Sequence, residues 1–126
     1  MAVRRHLAED ELGPAIRALG QIEQWLGMSS CELGPLSREL AIERHRDEYV
    51  VWLFENVELP DTEYEGQTTL VPRDYDQPYT TTTFASLEEA LDHAVKVHGA
   101  NLNRFVNRGL ARQEYLDARG PVIDRT

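Results

Sequence analysis

Glu48–Pro60 reads EYVVWLFENVELP, and Tyr49-Val50-Val51-Trp52-Leu53-Phe54 within it is the most apolar run of the chain. β-Branched and aromatic side chains in succession suit a pleated strand packed on both faces. We therefore place a central strand at 49–57, ended by Pro60 and Asp61. His45-Arg46-Asp47-Glu48 would connect it as a hairpin to an earlier strand at 38–45. That earlier segment, 36–46, is ambiguous. Leu33, Leu36 and Leu40 fit a helix, whereas Leu40, Ile42 and Arg44 alternate with Ala41, Glu43 and His45 as in a strand, the reading preferred here.

Upstream, Pro14 suits the first turn of a helix. Ile16, Leu19, Ile22 or Glu23, and Leu26 recur at helical spacing up to Gly27, which predicts a helix over 13–27 with Gly20 inside it. Downstream, residues 58–78 form a long connection carrying Pro60, Gly66, Pro72 and Pro78. Such connections are functional, mobile, or conceal a short strand, and Gln67–Val71 is the candidate strand. Tyr79–Phe84 (YTTTTF) is a stronger strand. Ser86 and Glu89 form a capping box ahead of a helix whose face is Leu87, Ala90, Leu91, Ala94 and His98, with Gly99 as its stop. A last helix is expected over 101–118, with Leu102, Phe105, Val106, Gly109, Leu110 and Leu116 on one side and Gly120-Pro121 beyond it.

The expected architecture is α+β: a small antiparallel sheet of about three to four strands with helices packed on one face. The order is helix, hairpin, loop, strand, helix, helix. At 126 residues the expectation is a single domain over 1–126 with loose termini at about 1–6 and 120–126. No apolar run reaches the ~20 residues of a membrane span, and Glu9, Asp10 and Glu11 interrupt any signal-peptide core after Arg4 and Arg5. With Cys31 as the only cysteine, no intrachain disulfide forms, which suits a reducing cytoplasm. One lysine, Lys96, against twelve arginines hints at a GC-rich bacterial or phage source.

The net charge is −9, which disfavours generic nucleic-acid binding and favours a basic partner. Residues 55–76 hold seven carboxylates against Arg73 alone, whereas residues 99–126 carry a net charge of +2. Within the acidic segment Glu58, Asp61, Glu63, Tyr64, Glu65, Asp74, Tyr75 and Asp76 interleave carboxylates with tyrosines, a composition suited to docking on a basic surface. The second candidate surface is Arg104, Arg108 and Arg112, a stripe at i, i+4, i+8 with Tyr115 in the same sector. It would contact phosphates or an acidic partner, including the chain's own acidic loop or that of a second copy.

Chemistry is harder to find. His93 and His98 stand about 140° apart on their helix, a poor metal pair, and His6 and His45 lie elsewhere. Asp74-Tyr75-Asp76 begins like a calcium loop, but Gln77-Pro78 removes the next ligand and the glycine. No phosphate loop, dinucleotide fingerprint, Gly-x-Ser-x-Gly or His-Glu-x-x-His occurs. No catalytic residue, metal or cofactor is assigned. The leading expectation is a non-catalytic protein-binding or regulatory module of inhibitor, immunity-like or accessory-subunit type. The alternatives are a small enzyme or ligand-binding domain, with Cys31, His93 or His98 reaching a pocket between sheet and helices, and nucleic-acid contact through the arginine stripe.

Overall fold

The computed structural model describes residues 5–60 and 68–119. A short 3-10 turn, Glu9–Glu11, leads into α1 (Leu12–Leu19). Then follow β1 (Gln21–Cys31), β2 (Gly34–His45), β3 (Glu48–Pro60), β4 (Thr68–Pro72), β5 (Tyr79–Phe84), α2 (Leu87–His98), β6 (Val106–Asn107) and α3 (Leu110–Arg119). The fold is α+β, as expected, but its antiparallel sheet is larger than expected and the order of elements differs. Six strands run β4-β3-β2-β1-β6, and β5 also pairs with β3.

The strand at the centre of the reading is present and longer, extending to Pro60. Its far edge is shared. β4 pairs with Asn56–Pro60 and β5 with Tyr49–Phe54, so the two lie end to end along β3. Only Glu55 stands between them, and its carbonyl accepts from the Arg73 N–H at 3.0 Å. The strand reading of 38–45 holds within the longer β2, and the hairpin turns at Arg46-Asp47 with His45 opposite Glu48. The turn has no glycine, so Arg46 itself takes a positive φ of 58°.

Two helices are shorter than the periodicity suggested, each for a local reason. α1 stops at Gly20, whose φ of 81° is left-handed and whose N–H closes on the Ile16 carbonyl. Ile22 and Leu26, which kept helical spacing, instead lie in β1, opposite β2. A bulge between Trp25 and Gly27 interrupts their register and turns Leu26 toward the core. The last helix begins at Leu110 rather than near 101. Asn101 is committed to β1 instead: its N–H donates to Gln24 Oε1 and its carbonyl accepts from Gln24 Nε2, both at 2.8 Å. Val106 and Asn107 then pair with β1 as β6. The capping expectation for α2 is met in part. Ser86 Oγ accepts the Glu89 N–H at 3.1 Å, while the Glu89 carboxylate accepts the Ser86 hydroxyl rather than a backbone N–H.

Helices occupy both faces of the sheet, not one. On the first face, Ile22, Leu40, Ile42 and Val51 pack with Leu12 and Ile16 of α1, Ala90 and Ala94 of α2, and Phe105. Each fully buried aliphatic side chain there contributes ~1.5–3 kcal/mol. α3 lies on the opposite face, above side chains that alternate with that core. Glu23 Oε1 accepts the N–H groups of Gly109 and Ala111 at the start of α3, at 2.9 and 3.4 Å, a carboxylate well placed against the helix dipole. Trp25 meets Tyr115 edge to face, with ring centres 6.1 Å apart. The helices expected on one face thus lie on both, and α3 roofs the polar side of the alternating strands. Of the ends expected to be loose, 1–4 and 120–126 lie outside the described residues. Arg5 and His6 reach Asp117 and Glu114 on α3, at 2.9 and 2.8 Å.

Candidate functional site

The twelve residues singled out by sequence separate into four groups. Asp61, Glu63, Tyr64 and Glu65 lie outside the described residues. Glu58 lies inside them but not on a surface. It sits in β3 at 5% exposure, facing α3. Tyr115 Oη donates to its Oε2 at 2.6 Å, and Arg119 donates from Nε and Nη2 at 2.8 and 2.7 Å. Three donors on one buried carboxylate satisfy it internally. Burial first, and then the hydrogen bond to Glu58, push the Tyr115 hydroxyl up to about 12. Glu58 and Tyr115 are thus a brace between sheet and helix, and neither is free for a partner.

The arginine stripe does not assemble. Arg104 and Arg108 precede α3, and only Arg112 is on it. Arg104 lies 3.9 Å from Glu114. Arg112 lies 3.7 Å from Glu39 and its guanidinium carbon is 6.0 Å from the centre of the Tyr115 ring. Burial raises the Glu39 carboxyl, an effect Arg112 opposes. Among the described residues the positive C-terminal segment meets the chain's own acids Glu39, Glu58 and Glu114, of which Glu58 belongs to the acidic segment.

Asp74, Tyr75 and Asp76 remain exposed, at the tip of the connection between β4 and β5. The physical origin of this turn is the shared edge of β3. Two strands laid end to end against one long strand must extrude the chain between them. Asp74 organises what is extruded: its Oδ1 accepts the Asp76 N–H at 2.9 Å and its carbonyl accepts the Gln77 N–H at 3.2 Å. This is an Asx turn, and it leaves the Tyr75 side chain outside, at 73% exposure.

Beside the turn an open groove of about 590 Å³ runs between Glu32, at the tip of the β1–β2 hairpin, and residues 73–80, with Leu53 and Glu55 among its lining. Leu53 and Glu55 alternate with Trp52 and Phe54 along β3 and so face the α2 side of the sheet. Arg73 reaches Glu55 at 3.7 Å and Glu32 at 3.6 Å. From the other side Arg38 meets Glu55 at 3.3 Å and donates to the His98 carbonyl at the end of α2, at 3.5 Å. The sequence displayed Arg73 as the one cation in an acidic segment, which was the available signal that it serves an internal pair. Its partners Glu55 and Glu32, 18 and 41 positions away in sequence, carried no signal.

The remaining chemical candidates sit apart. His93 lies tilted at 45° against Phe84 with ring centres 4.9 Å apart and stands edge to face with His98 at 5.1 Å. Partial burial holds His98 below the usual histidine range, with the neighbouring His93 and Arg38 acting in the same sense. Cys31 ends β1 half-buried. Among the described residues no three His, Cys, Asp or Glu side chains gather as a metal set, and no helix is long and apolar enough to cross a membrane. Comparison with models of known protein families, with curated proteins and with solved structures gives no match.

Proposed function

We propose that this chain is a non-catalytic binding module, of inhibitor or accessory-subunit type, that docks the β4–β5 turn on a basic surface of a protein partner. The observation that carries the reading is the turn itself: Tyr75, 73% exposed, held between two exposed carboxylates by the hydrogen bonds of Asp74. A tyrosine gives large contact area at low entropic cost. A turn already folded in the free protein avoids much of the ordering penalty of association. The carboxylates, with a net charge of −9 behind them, would steer encounter with a positive patch. Asp61, Glu63, Tyr64 and Glu65 stay candidates by sequence composition alone, while Glu58 leaves the docking surface. The lone cysteine suits a protein that works in a reducing compartment.

A second reading, a ligand-binding domain, is favoured by one feature, the groove beside the turn. Its acids and bases already neutralise one another across Glu55, which speaks for a braced wall under the docking turn. Capture experiments separate the readings. The wild-type chain and an Asp74→Asn/Tyr75→Ala/Asp76→Asn variant are immobilised and exposed to lysate of the source cells at low salt. A protein retained by the first, released by raised salt and missed by the second is the expected result. Identical retention by both removes the turn from the function.

A further inference from the structure

We propose that β5 is a homodimerisation edge, on which a second copy of this chain adds its own β5 antiparallel across a two-fold axis normal to the sheet. Among the described strands β5 pairs with β3 alone, and Tyr79 to Thr83 are all exposed. An open edge offers a row of unpaired N–H and C=O groups, and folded proteins normally guard it with charge, proline, a bulge or brevity. The other edges carry such guards: β4 ends in Pro72, β6 has two residues, and β1 beyond β6 is bulged between Trp25 and Gly27. β5 has none. Its six residues hold no charge and no proline, and its register against β3 is uninterrupted from Tyr79 to Phe84.

The strand also matches itself. A two-fold normal to the sheet sets one residue opposite its own copy and keeps the α2 faces on the same side. Centred on Thr81, the opposed pairs are Thr81 with Thr81, Thr80 with Thr82 and Tyr79 with Thr83. Centred on Thr82, they are Thr82 with Thr82, Thr81 with Thr83 and Thr80 with Phe84. Every pair is threonine with threonine or threonine with an aromatic ring, both favourable across strands, and none opposes like charges. A foreign strand would need this complementarity supplied, whereas a second copy brings it. Val97 adds apolar surface at the same place. It is 62% exposed and one turn beyond His93, whose ring lies tilted against Phe84 of β5.

One six-residue edge and one helix flank fall toward the small end of interface sizes, so the dimer is concentration-dependent. Two copies of net charge −9 repel, so added salt tightens it. That sign is opposite to the docking of an acidic turn on a basic partner, and no partner is needed to see it. The test is sedimentation velocity of the full chain alone from about 1 μM to about 500 μM, at low and high NaCl. A shift from monomer to dimer, several-fold tighter at high salt, is expected. Thr81→Lys and Thr82→Lys are run beside it, with far-UV circular dichroism as the check on folding. Whichever site lies on the axis sets two lysines face to face, and that variant weakens the dimer at least tenfold. Should the lysines disturb the fold, Cys31→Ser chains carrying Thr81→Cys or Thr82→Cys are oxidised instead, and one of them gives a covalent dimer. A monomer at every concentration, a dimer indifferent to both lysines, or no cross-linked product overturns the proposal.

Discussion

Replacing Glu58 by glutamine removes one charge and almost no volume, yet it should be among the costlier single changes in the molecule. The carboxylate is 5% exposed and accepts three hydrogen bonds of 2.6–2.8 Å from Tyr115 and Arg119. Charge-assisted bonds contribute ~1.5–3 kcal/mol each, against ~1 kcal/mol for neutral ones. Glutamine retains one acceptor but turns an NH₂ group toward a donor, so at least one of the three contacts becomes donor against donor. Arg119 is not stranded by the change, because its side chain is 39% exposed and water can replace the lost acceptor. Setting that relief against the lost bonds leaves a destabilisation of about 2–3 kcal/mol. For a chain of this size that is a fall in Tm of roughly 6–15 °C. Urea unfolding followed by tryptophan fluorescence reports it directly, since Trp25 packs against Tyr115. Asp76→Asn is the control, exposed and expected to stay within about 0.5 kcal/mol of wild type. If Glu58→Gln also stays within about 0.5 kcal/mol, the brace between β3 and α3 does not hold the fold.

Three further changes probe the frame. Tyr115 is raised from 10.0 to about 12 in the folded chain, so its contribution is complete below pH 10 and is lost as pH rises toward 12. Chemical denaturation across that range should show a fall that Tyr115→Phe abolishes. Arg46 turns the β2–β3 hairpin at φ 58°. Arg46→Gly relieves ~1 kcal/mol of left-handed strain and gives back part of it through a freer unfolded chain, so a gain of a few tenths of a kcal/mol in ΔG is expected from urea titration. Ser86→Ala removes the acceptor at the start of α2 and should cost ~1 kcal/mol in the same titration.

How far the sequence led depends on the range of each signal. β5 and α2 were legible to the residue or nearly so, because a β-branched run and a capping serine are local devices. β3 was legible as a strand, but not as one long enough to hold two partners on one edge. That property is a pairing, and it created the turn at Asp74–Asp76. The helix reading of 13–27 failed at Gly20, where a weak spot in a helix and a left-handed stop look alike until the next segment finds a strand partner. The final helix failed at Asn101, whose backbone is bound by Gln24, 77 positions away in sequence. The candidate surfaces divide in the same way. Glu58 reads as a loop acid when only its neighbours in sequence are visible, and as a buried brace once α3 is in place. The arginine spacing described a stripe only on a helix that starts earlier than this one does. Asp74, Tyr75 and Asp76 were legible as an exposed turn, because turn chemistry is written locally.

The turn is the functional centre of this reading, and quantitative capture tests it most directly. The fraction of a candidate partner retained is measured on wild-type chain, on the Asp74→Asn/Tyr75→Ala/Asp76→Asn variant and on Glu88→Gln, an exposed carboxylate elsewhere, over a salt series. Retention by wild type and Glu88→Gln that falls as salt rises, with at least a tenfold loss in the turn variant, is the outcome expected of a docking turn. Equal retention by all three proteins at every salt concentration would contradict it.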